Sequence, residues 1–244
     1  MEVKSIVLFV IIVILLIIVI HFITQDVNTL TGLISAQTMQ KIEAADLASS
    51  STSGNTANFT YSIWFFIDDW NYRYGDPKAI FGRMTSGNAE RQPCPSVALG
   101  PILNNIIVSL AVYPGLDEMP EDGSNFVVHT CGISNVPIQK WCNFFISVYG
   151  RTLDLYLDGK LVRTCVLPGV ANIDSNAPVY VTPMGGFSGW TSRFQYWPEA
   201  SNPQKAWDIY KAGYGGSLLG SIFGKYTIKV SVMEGDTVTS SVEI

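Results

Sequence analysis

KWCNFFISVYGRTLDLYLDGKLVRTCVLP, residues 140–168, decides the fold. It reads as three antiparallel strands joined by two tight turns. Asp158-Gly159 is a two-residue hairpin signal, because both central positions of such a turn need a positive φ. Gly150-Arg151 closes the other turn. The first turn sets Leu157 opposite Lys160, Leu155 opposite Val162, Leu153 opposite Thr164 and Asp154 opposite Arg163. The second sets Val148 opposite Leu153, Ile146 opposite Leu155 and Phe144 opposite Leu157. Side chains alternate across a sheet. One face then carries Phe144, Ile146, Val148, Leu153, Leu155, Leu157 and Val162, the wall of a core. The other carries Asn143, Ser147, Asp154 and Arg163, with Phe145, Tyr149 and Tyr156 among them. Three aromatics exceed what a solvated face needs, so this face is expected to meet a second layer, a ligand or a partner. The same register puts Cys142 on the core face and Cys165 on the opposite one, which separates them. Cys94 and Cys131 fall in loops and are free to pair; the alternative is four reduced thiols.

The pattern extends outward. Phe59–Trp70 (FTYSIWFFIDDW) reads as a strand that becomes apolar on both faces, as a buried strand does. Further short strands are expected at Lys78–Met84, Val97–Leu99, Ile106–Tyr113, Phe126–Thr130, Pro178–Met184 and Gly189–Trp197. They are separated by Gly, Pro and Asn clusters, the pattern of an all-β sandwich. Asn202 caps a helix whose first position is Pro203 and which ends at Gly213. Ala206, Trp207 and Tyr210 share one of its faces and are expected to be core contacts. The tail predicts a hairpin, Lys225–Met233 with Thr237–Ile244, turning at Glu234-Gly235-Asp236.

LDLYLDGKLV (153–162), GGFSGWTSRFQYWPEA (185–200) and AWDIYKAG (206–213) together resemble the laminin-G-like, concanavalin-type jelly roll. The likeness runs over about residues 58–214. It implies a jelly-roll β-sandwich with one short helix. It implies no single function, since this fold hosts lectins, glucanases, adhesion modules and structural domains.

Ile6–Ile23 (IVLFVIIVILLIIVIHFI) is almost wholly apolar. As a helix it would be about 27 Å long, close to a bilayer's hydrocarbon thickness. We read it as a single-pass transmembrane anchor running from Ile6 through Leu15 to Ile23, with no signal-peptide cleavage site directly after it. Lys4 before it and Asp26 after it lean towards a cytoplasmic amino terminus. The organisation expected is an anchor at 1–24, a stalk and flexible linker at 25–57, the β-sandwich at 58–214, and a Gly-rich connector with the terminal hairpin at 215–244. The linker SSSTSGNTAN (49–58) is small, polar and turn-rich. Asn58-Phe59-Thr60 is an N-glycosylation sequon.

With 15 Lys and Arg against 20 Asp and Glu and no basic tract, nucleic-acid binding is excluded as the main role. Two histidines and four scattered cysteines give no transition-metal spacing. Asp68 and Asp69 are the calcium candidates, because a hard cation wants carboxylate oxygens. Asp117, Glu118, Glu121 and Asp122 in a Pro- and Gly-bounded loop offer the same chemistry. Otherwise no cofactor is indicated. Glu234-Gly-Asp236 begins the paired-acid pattern of the related glucanases, but residue 239 is Thr, so the catalytic pair is incomplete. No enzyme is expected.

Two binding roles remain. NFTYSIWFFIDDWNYRYGDPKAIFGRM (58–84), following an anchor and linker, resembles membrane-anchored laminin-G-like proteins of large DNA viruses with an internal membrane. That resemblance implies a structural docking protein, a minor capsid component bridging an internal virion membrane and the capsid, with lipid and other structural proteins as partners. The other role is a membrane-tethered lectin or adhesion module. There Trp70, Tyr72, Tyr74, Trp190 and Trp197 would stack on glycan or contact a partner.

Overall fold

A computed structural model describes residues 12, 15–16, 28–47, 57–84, 92–115, 125–215, 229–234 and 237–243. Most of the expected anchor, the 49–56 part of the linker, the 116–124 acidic loop and the 216–228 connector lie outside the described residues. Ile12, Leu15 and Leu16 are helical and exposed. Among the described residues no helix is long and apolar enough to cross a membrane, which says nothing of a β-barrel.

Residues 28–211 form one unit, a sandwich of two antiparallel sheets. Its strands in chain order are β1 (Thr29–Thr31), β2 (Ile34–Ser35), β3 (Gln40–Ile42), β4 (Phe59–Asp69), β5 (Lys78–Met84), β6 (Pro93–Leu99), β7 (Asn105–Val112), β8 (Val127–Ser134), β9 (Trp141–Tyr149), β10 (Thr152–Leu157), β11 (Lys160–Val166), β12 (Val179–Val181) and β13 (Ser188–Trp197). The first sheet runs β1-β13-β4-β9-β10-β11, with β2 also on β13. The second runs β3-β12-β5-β6-β7-β8. Between them lies a core of alternate residues, among them Ile63, Phe65, Phe81, Val108, Phe144, Ile146, Leu153 and Phe194.

The expected register holds between β9 and β10: Val148 faces Leu153, Ile146 faces Leu155 and Phe144 faces Leu157. Between β10 and β11 it changes. Leu157 faces Lys160, but a bulge follows, so Leu155 faces Arg163, Asp154 faces Thr164 and Leu153 faces Cys165. Val162 is the inserted residue and is exposed rather than in the core. A one-residue slip exchanges the two faces of a strand. Asp154 therefore accepts from Thr164 Oγ1 at 2.6 Å instead of pairing with Arg163. Arg163 Nη1 donates to the Gly132 carbonyl at 2.7 Å. Cys165 turns inward and bonds Cys131, their Cα atoms 6.4 Å apart. The pairings expected from an unbulged strand are thus corrected; Cys94 and Cys131, expected in loops and free to pair, lie on β6 and β8, and Cys94 and Cys142 are the buried free thiols.

The second correction concerns residues 28–47, expected as part of a stalk. Thr31 faces Phe194 and Trp190 faces Ser35 on the first sheet, while Ile42 faces Val179 on the second. The segment crosses from one sheet edge to the other and buries Ala36, Ile42 and Leu47. Gly186 permits the crossing, because a Cβ there would lie 2.0 Å from the Ala36 carbonyl oxygen. The Cys131–Cys165 bond joins the two sheets at their other edges, β8 and β11.

The remaining aromatic face has its second layer. Helix α1 (Pro203–Ala212) lies over the outer face of the first sheet. Asn202 caps it, accepting from the Lys205 N–H at 2.9 Å. Ala206 and Ile209 pack on Phe145, Tyr156 and Trp197. The helix buries Ala206 and Ile209, while Trp207 stays 38% exposed and Tyr210 half-buried, so the expected burial of Trp207 is corrected.

In the second unit, β14 (Lys229–Glu234) pairs antiparallel with β15 (Thr237–Glu243), as the turn signal between them predicts.

Candidate functional site

One end of the sandwich gathers the β4–β5, β6–β7, β8–β9 and β12–β13 loops, the β10–β11 turn and the end of α1. The chain enters the sandwich at the other end, where Asn28 accepts from the Tyr196 N–H.

The loops at this end are bonded to one another. Asn104 Nδ2 donates to the Val136 carbonyl at 2.7 Å. The Gly75 N–H donates to the Pro101 carbonyl at 3.1 Å. Tyr72 Oη donates to the Gly185 carbonyl at 3.1 Å, and Arg73 donates to the Met184 carbonyl. Thr182 Oγ1 donates to the Thr38 carbonyl at 2.8 Å. Each bond ties one loop to the next, so their tips hold fixed positions.

On the outer face of the first sheet, three aromatics stand in one row across three strands. Trp190 faces Phe66, and Phe66 faces Trp141. Phe65 and Ile67 point into the core, which sends Phe66 outward. The Phe66 and Trp141 rings lie 5.8 Å apart. Trp190 is 48% exposed. One row further in, Trp64 stacks on Tyr210 at 5.9 Å, and Trp207 lies 5.6 Å from Tyr210.

Polar groups frame this surface. Asp158 Oδ1 accepts from the Asn143 N–H at 2.9 Å, and its Oδ2 pairs with Lys140 Nζ at 3.1 Å. The pair raises the Lys140 pKa, chiefly through the hydrogen bond from its ammonium. Gly159 beside it must lack a side chain: its φ is +73°, and a Cβ would lie 2.9 Å from Tyr210 Cβ.

The sequence candidates fall in different places. Trp190 is in the row, and Tyr74 is exposed on the β4–β5 loop. Tyr72 is half-buried and fixed by Gly185. Trp70 packs against the core with Lys78 Nζ 4.9 Å from its ring centre. Trp197 is buried under α1 with Lys205 above it, so it offers no stacking face. Phe66, Trp141 and Trp207 were missed. Cross-strand register brings Phe66 and Trp141 together, and the packing of α1 on the sheet brings in Trp207, although the outward alternation of Phe66 was legible.

Asp68 and Asp69 are exposed, and Asp69 Oδ1 accepts from the Asn71 N–H at 2.9 Å, a turn-forming role. Calcium takes about six to eight oxygens. Among the described residues no group of three or more His, Cys, Asp or Glu could hold a metal ion. Asn58 uses its Oδ1 to accept from the Gly150 N–H at 2.8 Å. The sequon's Thr60 hydroxyl is buried and donates to the Glu199 carbonyl.

No family model and no curated protein matches the chain. Solved structures do. The receptor-binding domain of botulinum neurotoxin C/D mosaic serotype is similar with a TM-score of 0.54 and 10% identity, over 78% of this chain and 44% of that one. The serotype D ligand-binding domain in complex with N-acetylneuraminic acid is similar with a TM-score of 0.53 and 11% identity, over 76% of this chain and 43% of that one. The chain thus spans less than half the length of these structures. The likeness is one of fold: a jelly-roll-like β-sandwich.

Proposed function

We propose that the chain is a non-enzymatic carbohydrate-binding module, with its site at the loop end of the sandwich. The observation that carries this is the Trp190–Phe66–Trp141 row beside the Asp158–Lys140 pair. A sugar ring has an apolar C–H face and a polar edge. Aromatic rings suit the face, and charged groups give the stronger hydrogen bonds to hydroxyls on the edge. The serotype D domain of this fold solved with N-acetylneuraminic acid is in keeping with such a role. The Cys131–Cys165 bond supports an oxidising compartment, where glycans are displayed. The apolar run 6–23 then serves as a membrane anchor with the domain on the side away from the cytoplasm, as the Lys4 and Asp26 bias suggests.

Affinity electrophoresis of the full chain in mild detergent, in gels holding complex glycoproteins, tests this reading. Retarded migration that Trp190→Ala restores to normal supports it. Unchanged migration of folded protein in every gel defeats it.

A second reading has its own observation. Ile102, Leu103, Ile138 and Met184 are exposed at the same end, and sugar recognition does not call for them. Exposed apolar clusters mark protein contacts. In that reading the domain docks on another structural protein and the anchor holds it to a bilayer. The virion setting rests on sequence resemblance alone.

A further inference from the structure

Lys78 opens β5 and is only 1% exposed. Its Nζ has no hydrogen-bond partner and lies over the Trp70 ring, 4.9 Å from the centre. The Trp70 Nε1–H is likewise buried and without an acceptor. Two buried donors, neither with a hydrogen-bond partner, thus meet in one side-chain contact. Buried donors are costly unless they are paired, and a buried ammonium more so. Burial lowers the Lys78 pKa; Arg73 lowers it further, and Asp76 opposes. Asp76 is itself paired with Arg73 at 3.6 Å, and its side chain is 63% exposed. Arg73 outweighs Asp76 at Lys78, so no net negative charge compensates its ammonium.

Trp70, Arg73 and Asp76 all belong to the loop over residues 70–77. That loop is pinned by Tyr72 and Arg73 to the 184–185 carbonyls and by Gly75 to Pro101. We infer that Lys78 and the Trp70 Nε1–H, beneath this loop, form a binding seat for a small carboxylate. One oxygen would take the ammonium and the other the indole N–H. A monoanion balances the single uncompensated charge, whereas a phosphate dianion would exceed it. The seat does not depend on the aromatic row, and it stands whether or not the domain binds sugar. A free organic acid and an acidic sugar share this chemistry.

The test follows tryptophan indole N–H resonances of the full chain by NMR, with Trp70 and Trp190 assigned from Trp70→Phe and Trp190→Phe. The probes are acetate, N-acetylneuraminic acid, its methyl ester, and chloride at matched ionic strength. The Trp70 resonance is expected to move saturably with acetate and not with chloride, at least tenfold more weakly in Lys78→Met. A shift at lower concentration with N-acetylneuraminic acid than with acetate or the ester assigns the seat to acidic sugars. Equal response assigns it to carboxylates at large. Movement of Trp190 without Trp70 leaves the sugar site standing and overturns the seat. So does a silent Trp70 in acetate with wild-type protein, or an unchanged response in Lys78→Met. Should Lys78→Met lose its dispersed spectrum, the wild-type titration alone decides.

Discussion

Cys131 on β8 is bonded to Cys165 on β11, joining the two sheets at the side of the sandwich away from the N-terminal segment. The bond closes a loop of sequence separation 34. A loop of that size stabilises a domain by about 3–4 kcal/mol on the chain-entropy account. The Cys131→Ser/Cys165→Ser double variant is expected to lose that much in urea unfolding. Under denaturing, non-reducing conditions, thiol titration should find two free thiols. Four would remove the staple from the account. In the native state both free thiols should resist alkylation, because burial pushes Cys94 and Cys142 up to about 12.

The disulfide also shows where sequence reading stops. The Asp158-Gly159 signal locates the β10–β11 turn and the Gly150 signal the β9–β10 turn, and the strand periodicity places β4, β5 and β13 closely. One inserted residue, Val162, is invisible to periodicity, yet it reverses the face of everything after it. Residues 28–47 hide for another reason. Strands of two or three residues carry too little alternation to register, and Leu30, Leu33 and Ile34 mimic helical spacing. The aromatic row was half legible. Trp190 stood out as a residue type, but its neighbours Phe66 and Trp141 come from strands far apart in sequence.

Phe145 anchors the second layer, edge-on to Tyr156 at 5.3 Å and under Ala206 and Ile209. Phe145→Ala is expected to cost about 3–5 kcal/mol, as large-to-small changes in a packed core do. Chemical denaturation measures it. A loss below about 1 kcal/mol would mean that α1 does not pack on this face.

Gly159 lies against α1 at both Trp207 and Tyr210. Gly159→Ala adds a Cβ in close contact with backbone and Cβ atoms at a positive φ, so a loss of about 1–3 kcal/mol is expected. Thermal unfolding checks this. Because the turn also positions Asp158, any glycan retardation should weaken in the same variant.

Lys78 gives a pH signature. Its folded pKa lies below the unfolded value, so between the two the unfolded chain binds more protons. Stability then rises with pH through that window, towards about 10.5, and the penalty is fully present below it. Urea unfolding from pH 7 to 10 should show wild type gaining on Lys78→Met. The opposite slope would mean that the ammonium is paired in the folded state.

The most direct test of the central claim is a glycan array probed with the full chain in mild detergent, wild type beside Trp190→Ala. The account predicts binding to a defined set of glycans by the wild type and at least a tenfold loss in the variant, whose fold should be intact because Trp190 is half exposed. A blank array with folded wild-type protein, or binding unchanged in Trp190→Ala, would contradict it and turn attention to Ile102, Leu103, Ile138 and Met184 as a surface for a protein partner.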